Sequence, residues 1–254
     1  MTSRRRATAL LLLLVLVAWW VACGDDDPVE PDNGAPAHRS EEITASKDNT
    51  LYEEDGLCDA CPGTNGVLDS LSNGAGEWVF AGTNNLGRAR RALVAFDVAG
   101  NIPAGAVVDS VVLTLTMSRT IAGTHTVALH RVLADWGEGT SDASCCAPEE
   151  GTGGTATVGD ATWVLRVFRA AAWTTPGGDF AVASSSVRSV AGSGPYQWQS
   201  AQMTSDVQAW LDAPATNFGW ILIGDETVDR SAKRFDSRES AATAPRLTVY
   251  YTVP

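Results

Sequence analysis

The sequence predicts an all-β, jelly-roll-like antiparallel β-sandwich with one short helix. Three observations carry that prediction. From Ile43 onward, short runs rich in Val, Thr, Ile and aromatic residues are separated by Gly, Pro, Asn and Asp, the texture of strands joined by turns. In several runs the apolar residues recur at every second position, the period of a strand with one buried face. Helical spacing occurs in one short segment. Many short strands with little helix favour a sandwich over layered α/β folds.

The elements follow in order. Glu77 to Gly82 (EWVFAG) is a strand run. Between Arg91 and Val98, residues Ala92, Val94, Phe96 and Val98 share one face, with Arg91, Ala95 and Asp97 on the other. Asn101-Ile102-Pro103-Ala104-Gly105 is a turn. Val111, Leu113, Leu115 and Met117 alternate with Val112, Thr114, Thr116 and Ser118, the strongest period-two signal in the chain. Thr124 to Leu133 is expected as the partner of that strand. Residues 137–160 are rich in Gly, Ser and Thr and read as a long loop. Later strand runs are Thr162–Phe168, Tyr196–Gln199, Phe218–Ile223 and Arg246–Thr252; in the last, Leu247, Val249 and Tyr251 face one way. Met203, Val207, Trp210 and Leu211 share a helical face, and Thr204, Ser205 or Asp206 is a candidate cap.

Upstream of this domain the chain reads as an export address. Arg4, Arg5 and Arg6 precede an uncharged apolar stretch from Ala7 to Ala22. That stretch is short for a comfortable membrane span, which needs about 20 apolar residues. Val21-Ala22-Cys23 places a small residue directly before a cysteine and resembles the lipobox of bacterial lipoproteins. The expectation is a signal peptide over residues 1–22 and a lipid-bearing Cys23 that ties the chain to the cell envelope, at the outer membrane or cell surface. Residues 23–42 hold Asp25-Asp26-Asp27, Pro28, Pro31, Asn33-Gly34 and Pro36, and read as an acidic tether. Residues 43–254 then form one domain, expected to be a monomer.

The whole chain carries 18 Lys+Arg against 30 Asp+Glu. Losing residues 1–22 removes three arginines and leaves 15 against 30, or −15. Such a chain has no general basic face for nucleic acid. Besides Cys23, the cysteines come as Cys58-x-x-Cys61 and Cys145-Cys146. Export to an oxidising compartment makes disulfides the default. Two bridges joining the two loops avoid straining an adjacent-cysteine bond, and the connectivity stays open. The alternative is a four-thiolate zinc site, although only one pair has knuckle spacing.

No catalytic constellation stands out. His38 falls in the tether, and His125 and His130 point to opposite faces of one expected strand. Neither G-x-S-x-G nor H-E-x-x-H occurs. Asp135-Trp136-Gly137-Glu138 is the nearest pair of carboxylates to a glycosidase couple, and it reads more simply as a strand-end turn. No cofactor is predicted. Structural calcium in acidic loops is a candidate, at Asp48, Asn49, Glu53 and Asp55 or at Asp225, Glu226 and Asp229; solvated loops are the plainer reading of both. Of seven tryptophans in the domain, Trp163, Trp210 and Trp220 are expected in the core; Trp173 and Trp198 are the better candidates for exposure, with core the safer guess for any one tryptophan.

Several segments occur in a familiar order. Arg90-Arg91-Ala92-Leu93-Val94-Ala95-Phe96-Asp97, Ile102-Pro103-Ala104-Gly105-Ala106 and Ala134-Asp135-Trp136-Gly137-Glu138-Gly139 come first. Asp160-Ala161-Thr162-Trp163, Asp206-Val207-Gln208-Ala209-Trp210 and Asn217-Phe218-Gly219-Trp220 follow. Phe235-Asp236-Ser237-Arg238-Glu239-Ser240 and Pro245-Arg246-Leu247 close the set. Over residues 43–252 this order resembles the DNRLRE-domain family. The resemblance implies an extracellular β-sandwich that binds polysaccharide without catalysis, including acidic glycans. In an acidic chain, Arg88, Arg90 and Arg91 and then Lys233, Arg234 and Arg238 are the candidate ligand-binding cations, because arginine forks suit carboxylates. Pairing with local acids is the competing reading for each. A structural or adhesion role in the envelope, without glycan affinity, is the alternative for the whole chain.

Overall fold

A computed structural model describes residues 36–53, 70–145 and 149–254. Their strands are β1 (Ala37–Thr44), β2 (Lys47–Tyr52), β3 (Leu71–Ser72), β4 (Trp78–Thr83), β5 (Ala89–Ala95), β6 (Val107–Thr120), β7 (His125–Arg131) and β8 (Gly154–Thr155). They continue with β9 (Leu165–Val167), β10 (Ala171–Ala172), β11 (Ser186–Val190), β12 (Gly194–Trp198), β13 (Trp220–Ile223), β14 (Lys233–Asp236) and β15 (Arg246–Val253). Two α-helices join them, α1 (Val98–Asn101) and α2 (Ala201–Asp212). The fold is all-β and sandwich-like, as expected.

One curled antiparallel sheet runs β1-β15-β6-β14-β4-β5-β13-β7-β11, with β12 added on β6 and β2 on β5. The curl turns at β4. Its residues Trp78 to Ala81 pair with β14, whereas Gly82 and Thr83 pair with β5. Gly82 has φ 117°, and a Cβ there would lie 2.9 Å from the Ala232 backbone. The corner therefore requires glycine.

Folding the sheet over itself encloses the main core. Val79 and Ala81 of β4, Ala92 and Val94 of β5, Val111, Leu113, Leu115 and Met117 of β6 and Leu247 and Val249 of β15 meet there. The alternating residues of β6 and β15 are buried as their period demands. Helix α2 joins this core. Ser200 caps it by accepting from the Met203 N–H at 3.0 Å, and Met203, Val207, Trp210 and Leu211 are buried. Trp210 packs edge-on to Trp220, with centroids 4.5 Å apart. Asp206, one turn earlier, accepts from Trp220 Nε1 at 3.1 Å, Gln202 Nε2 at 3.1 Å and the Ser185 hydroxyl. The buried carboxylate is thus hydrogen-bonded on both oxygens, the condition for burying one.

Four expectations are corrected. Strand β7 does not pair with β6; it lies between β13 and β11. Strand β5 buries both faces, because the segment after β7 folds over Leu93 and Ala95 and brings Trp136, Ala161 and Trp173 against them. Trp173 and Trp198 are buried, 5% and 1% exposed, with their indole N–H groups on the carbonyls of Thr162 and Val127. Residues 37–42, expected in the tether, belong to β1, which pairs with β15 from Ala37↔Val253 to Thr44↔Arg246. Among the described residues no helix is long and apolar enough to cross a membrane. Cys23, Cys58, Cys61 and Cys146 lie outside the described residues. Of their surroundings, β3 and β8 pair with each other, bringing together segments that follow Cys61 and Cys146 in the chain.

Candidate functional site

The six cations do not line one face. Each follows the geometry of its own strand. On β5 the alternation separates Arg90 from Arg91. Arg90 is 5% exposed, sits over the Tyr52 ring and donates to the carbonyls of Glu53, Ala89 and Gly151. Arg88 is half-buried, and its backbone N–H donates to Asn84 Oδ1 at 3.0 Å. On β14, Lys233 points inward and is fully buried. Its ammonium donates to Thr120 Oγ1 at 3.1 Å and to the carbonyls of Ala122, Gly123 and Ala191. Desolvation lowers its pKa. Arg234, on the opposite face, lies 3.8 Å from the centre of the Trp78 ring and donates to Glu149 at 3.0 Å. Glu149 also pairs with Arg119.

Arg238 follows β14 and joins two of the recurring motifs. Its guanidinium grips Glu138 with two parallel bonds, Nε to Oε1 at 2.5 Å and Nη2 to Oε2 at 2.9 Å. Glu239 lies 3.1 Å away, and the hydrogen bonds that Arg238 donates to Glu138 raise its pKa. The Arg238 N–H donates to Asp48 Oδ2 at 2.7 Å, and the Asp48 N–H donates to Glu138 Oε1 at 2.8 Å. Asp48 and Asn49 are fully buried rather than solvated. Burial pushes the Asp48 carboxyl well above the usual range, with Glu239 and Glu138 adding to it. Asn49 accepts from Ser72 Oγ and the Asn73 N–H and donates to the Glu138 carbonyl. This network is structural: it fastens the closing motif to the Asp135–Gly139 turn.

The other candidate calcium cluster is also engaged. Asp225 accepts from Thr227 and contacts His125 Nδ1 at 2.9 Å, which lowers its pKa to about 2. Glu226 is held by Arg91. Among the described residues no group of three or more His, Cys, Asp or Glu is placed to hold a metal ion.

Arg90 edges a smaller hollow with Phe80, Ile121 and Arg230, and Arg91 borders a larger open cleft. Arg91 projects from the outer face of β5, opposite Ile223 of β13. The loop after Trp173 folds up to it. Gly177 has φ 90°, and a Cβ there would lie 2.5 Å from Arg91 Nη1 and 2.8 Å from the Trp163 ring, so only glycine permits the approach. Arg91 donates to the Gly177 carbonyl at 2.9 Å and takes Glu226 in a fork at 2.7 and 2.8 Å. Its guanidinium also lies 4.8 Å from the Trp163 ring centre and 5.4 Å from that of Phe180. Asp179 braces the loop by accepting from the N–H groups of Thr174 and Thr175. The result is a shallow cleft of about 690 Å³ over Phe180, with Leu133, Pro176 and Val182 on its walls. Leu133 is 51% and Val182 94% exposed. The partly exposed Trp163 beside it was expected in the core. The cleft escapes a reading of the sequence because its apolar residues fall in an irregular loop with no period. Gly177-Gly178 beside Asp179-Phe180 is the signal that marks a tight loop carrying an aromatic.

No protein-family model matches the chain, and a search of curated proteins finds no match either. The resemblance to the DNRLRE family rests on the quoted motifs.

Proposed function

We propose that the chain is a non-catalytic polysaccharide-binding module, exported and held at the cell envelope by a lipid on Cys23. The observation that carries this reading is the cleft beside Arg91. It offers apolar side chains for the C–H faces of sugar rings, next to Thr174 and Thr175 hydroxyls for sugar hydroxyl groups. Its walls are built on a strand and a loop braced by Arg91, Gly177 and Asp179, so little ordering is needed on binding. The domain resemblance and the export signal support the same reading. Affinity electrophoresis tests it: the full chain in non-ionic detergent should be retarded in gels containing polysaccharide, and migration unchanged by every polymer tried contradicts it.

A second reading is a structural or adhesion module of the envelope. It is favoured by the pairing of Arg91, Arg234 and Arg238 with Glu226, Glu149 and Glu138. These partners occupy cations that an acidic ligand would use.

A further inference from the structure

We infer that the cleft beside Arg91 selects uncharged polysaccharide and discriminates against polyuronates, an inference that rests on the glycan-binding reading above. Its one cation is already neutralised. Arg91 gives Nε and Nη2 to the two oxygens of Glu226, and Nη1 to the Gly177 carbonyl. Each of the three guanidinium nitrogens already donates a hydrogen bond, and its charge is already matched by the Glu226 carboxylate, so a uronate gains little from it. Both ring contacts of the guanidinium, Trp163 and Phe180, hold it in that orientation.

The remaining charge in the cleft is of the wrong sign for a polyanion. Asp179 keeps its carboxylate there, braced by backbone N–H groups. The chain as a whole carries a net charge of −12, and a surrounding field of that sign slows the approach of acidic polymers. What the cleft does present is amphipathic. Val182 and Leu133 expose apolar surface, and the exposed Thr174 and Thr175 carry hydroxyls. That combination matches a neutral pyranose chain, with C–H faces and hydroxyl edges and no carboxylate to desolvate.

The test uses one polymer backbone in two charge states. The full chain in non-ionic detergent is titrated with polygalacturonate and with its fully methyl-esterified form, at low and at physiological salt. The inference predicts at least tenfold tighter binding of the esterified polymer, and little change in that binding with salt, since screening acts on charge pairs. Val182→Asp, at a 94% exposed position where folding is indifferent to the change, should abolish it. Glu226→Gln should release the Arg91 fork and raise affinity for polygalacturonate several-fold. Tighter, salt-sensitive binding of the acidic form by the unmodified chain overturns the inference and leaves the glycan-binding reading standing. Binding of neither form, nor of a neutral galactan and glucan run alongside, overturns that reading itself. Equal binding of Val182→Asp places the site elsewhere and overturns the assignment to this cleft.

Discussion

Arg238 and Glu138, one hundred residues apart, meet in a two-bond fork at 2.5 and 2.9 Å. Glu138 also accepts from the Asp48 N–H, and Arg238 donates its own N–H to Asp48. The pair therefore locks β2, the Asp135–Gly139 turn and the segment after β14 into one corner. Arg238 is 37% exposed at its side chain, so solvent discounts the ionic part. A double-mutant cycle with Arg238→Ala and Glu138→Ala should give a coupling of about 1 kcal/mol, the upper range for a partly exposed pair. Zero coupling by chemical denaturation means the two residues act independently.

Asp48 sets a pH dependence. Its folded pKa lies above its unfolded one, chiefly through burial. The folded state then binds the proton more tightly, so this group's contribution is retained at low pH. It is lost as pH rises from the usual carboxylate range through the raised folded value. Glu138, Glu239 and Arg238 are the charged groups facing it. Asp48→Asn removes the titration while keeping an acceptor for the Arg238 N–H. The variant should gain on the unmodified chain as pH goes from 5 to 8, by about 2–4 °C in Tm for each kcal/mol. An equal Tm difference at both pH values contradicts the assignment.

Lys233 is a buried ammonium held by carbonyls and one hydroxyl. It ties the turn after β6 to the turn after β11. Lys233→Met leaves those carbonyls without their donor and should cost about 1–3 kcal/mol, read by urea denaturation. An unchanged midpoint shows that water replaces the ammonium at no cost.

The cysteines and the anchor make a fourth prediction. The pairing of β3 with β8 joins the flanks of both cysteine segments. Non-reducing peptide mapping of exported protein should find Cys58, Cys61, Cys145 and Cys146 all oxidised. Cys23 should carry lipid, and Cys23→Ser should release the chain from membranes. Four free thiols, or one zinc per chain, removes the disulfide claim; membrane retention without lipid removes the anchor.

Much of this fold was legible in the sequence where one face of a strand is buried and the other wet. Strands β6 and β15 and helix α2 show their period because polar residues mark the exposed side. Strand β1 hides because it is an edge. Arg39, Glu41 and Glu42 protect it from further pairing, and the same charges look like tether. Strand β2 opens Lys47-Asp48-Asn49, a loop signature by composition, yet Asp48 and Asn49 are buried by hydrogen bonds that no local pattern encodes. The second face of β5 was illegible for a similar reason: what covers Leu93 and Ala95 comes from an irregular segment some forty to eighty residues later. The cations were found by sign and not by setting. Sign alone does not tell Arg91 at a cleft from Lys233 in the core.

Bound polysaccharide is proposed to lie in the cleft over Phe180. Hydroxyl-radical footprinting of the full chain, with and without saturating methyl-esterified polygalacturonate, tests it most directly. Protection is expected to concentrate at Leu133, Phe180 and Val182, with Leu86, Ile121 and Val158, exposed elsewhere on the surface, unchanged. Protection at those distant residues with none at Leu133, Phe180 or Val182, or no protection anywhere, contradicts it.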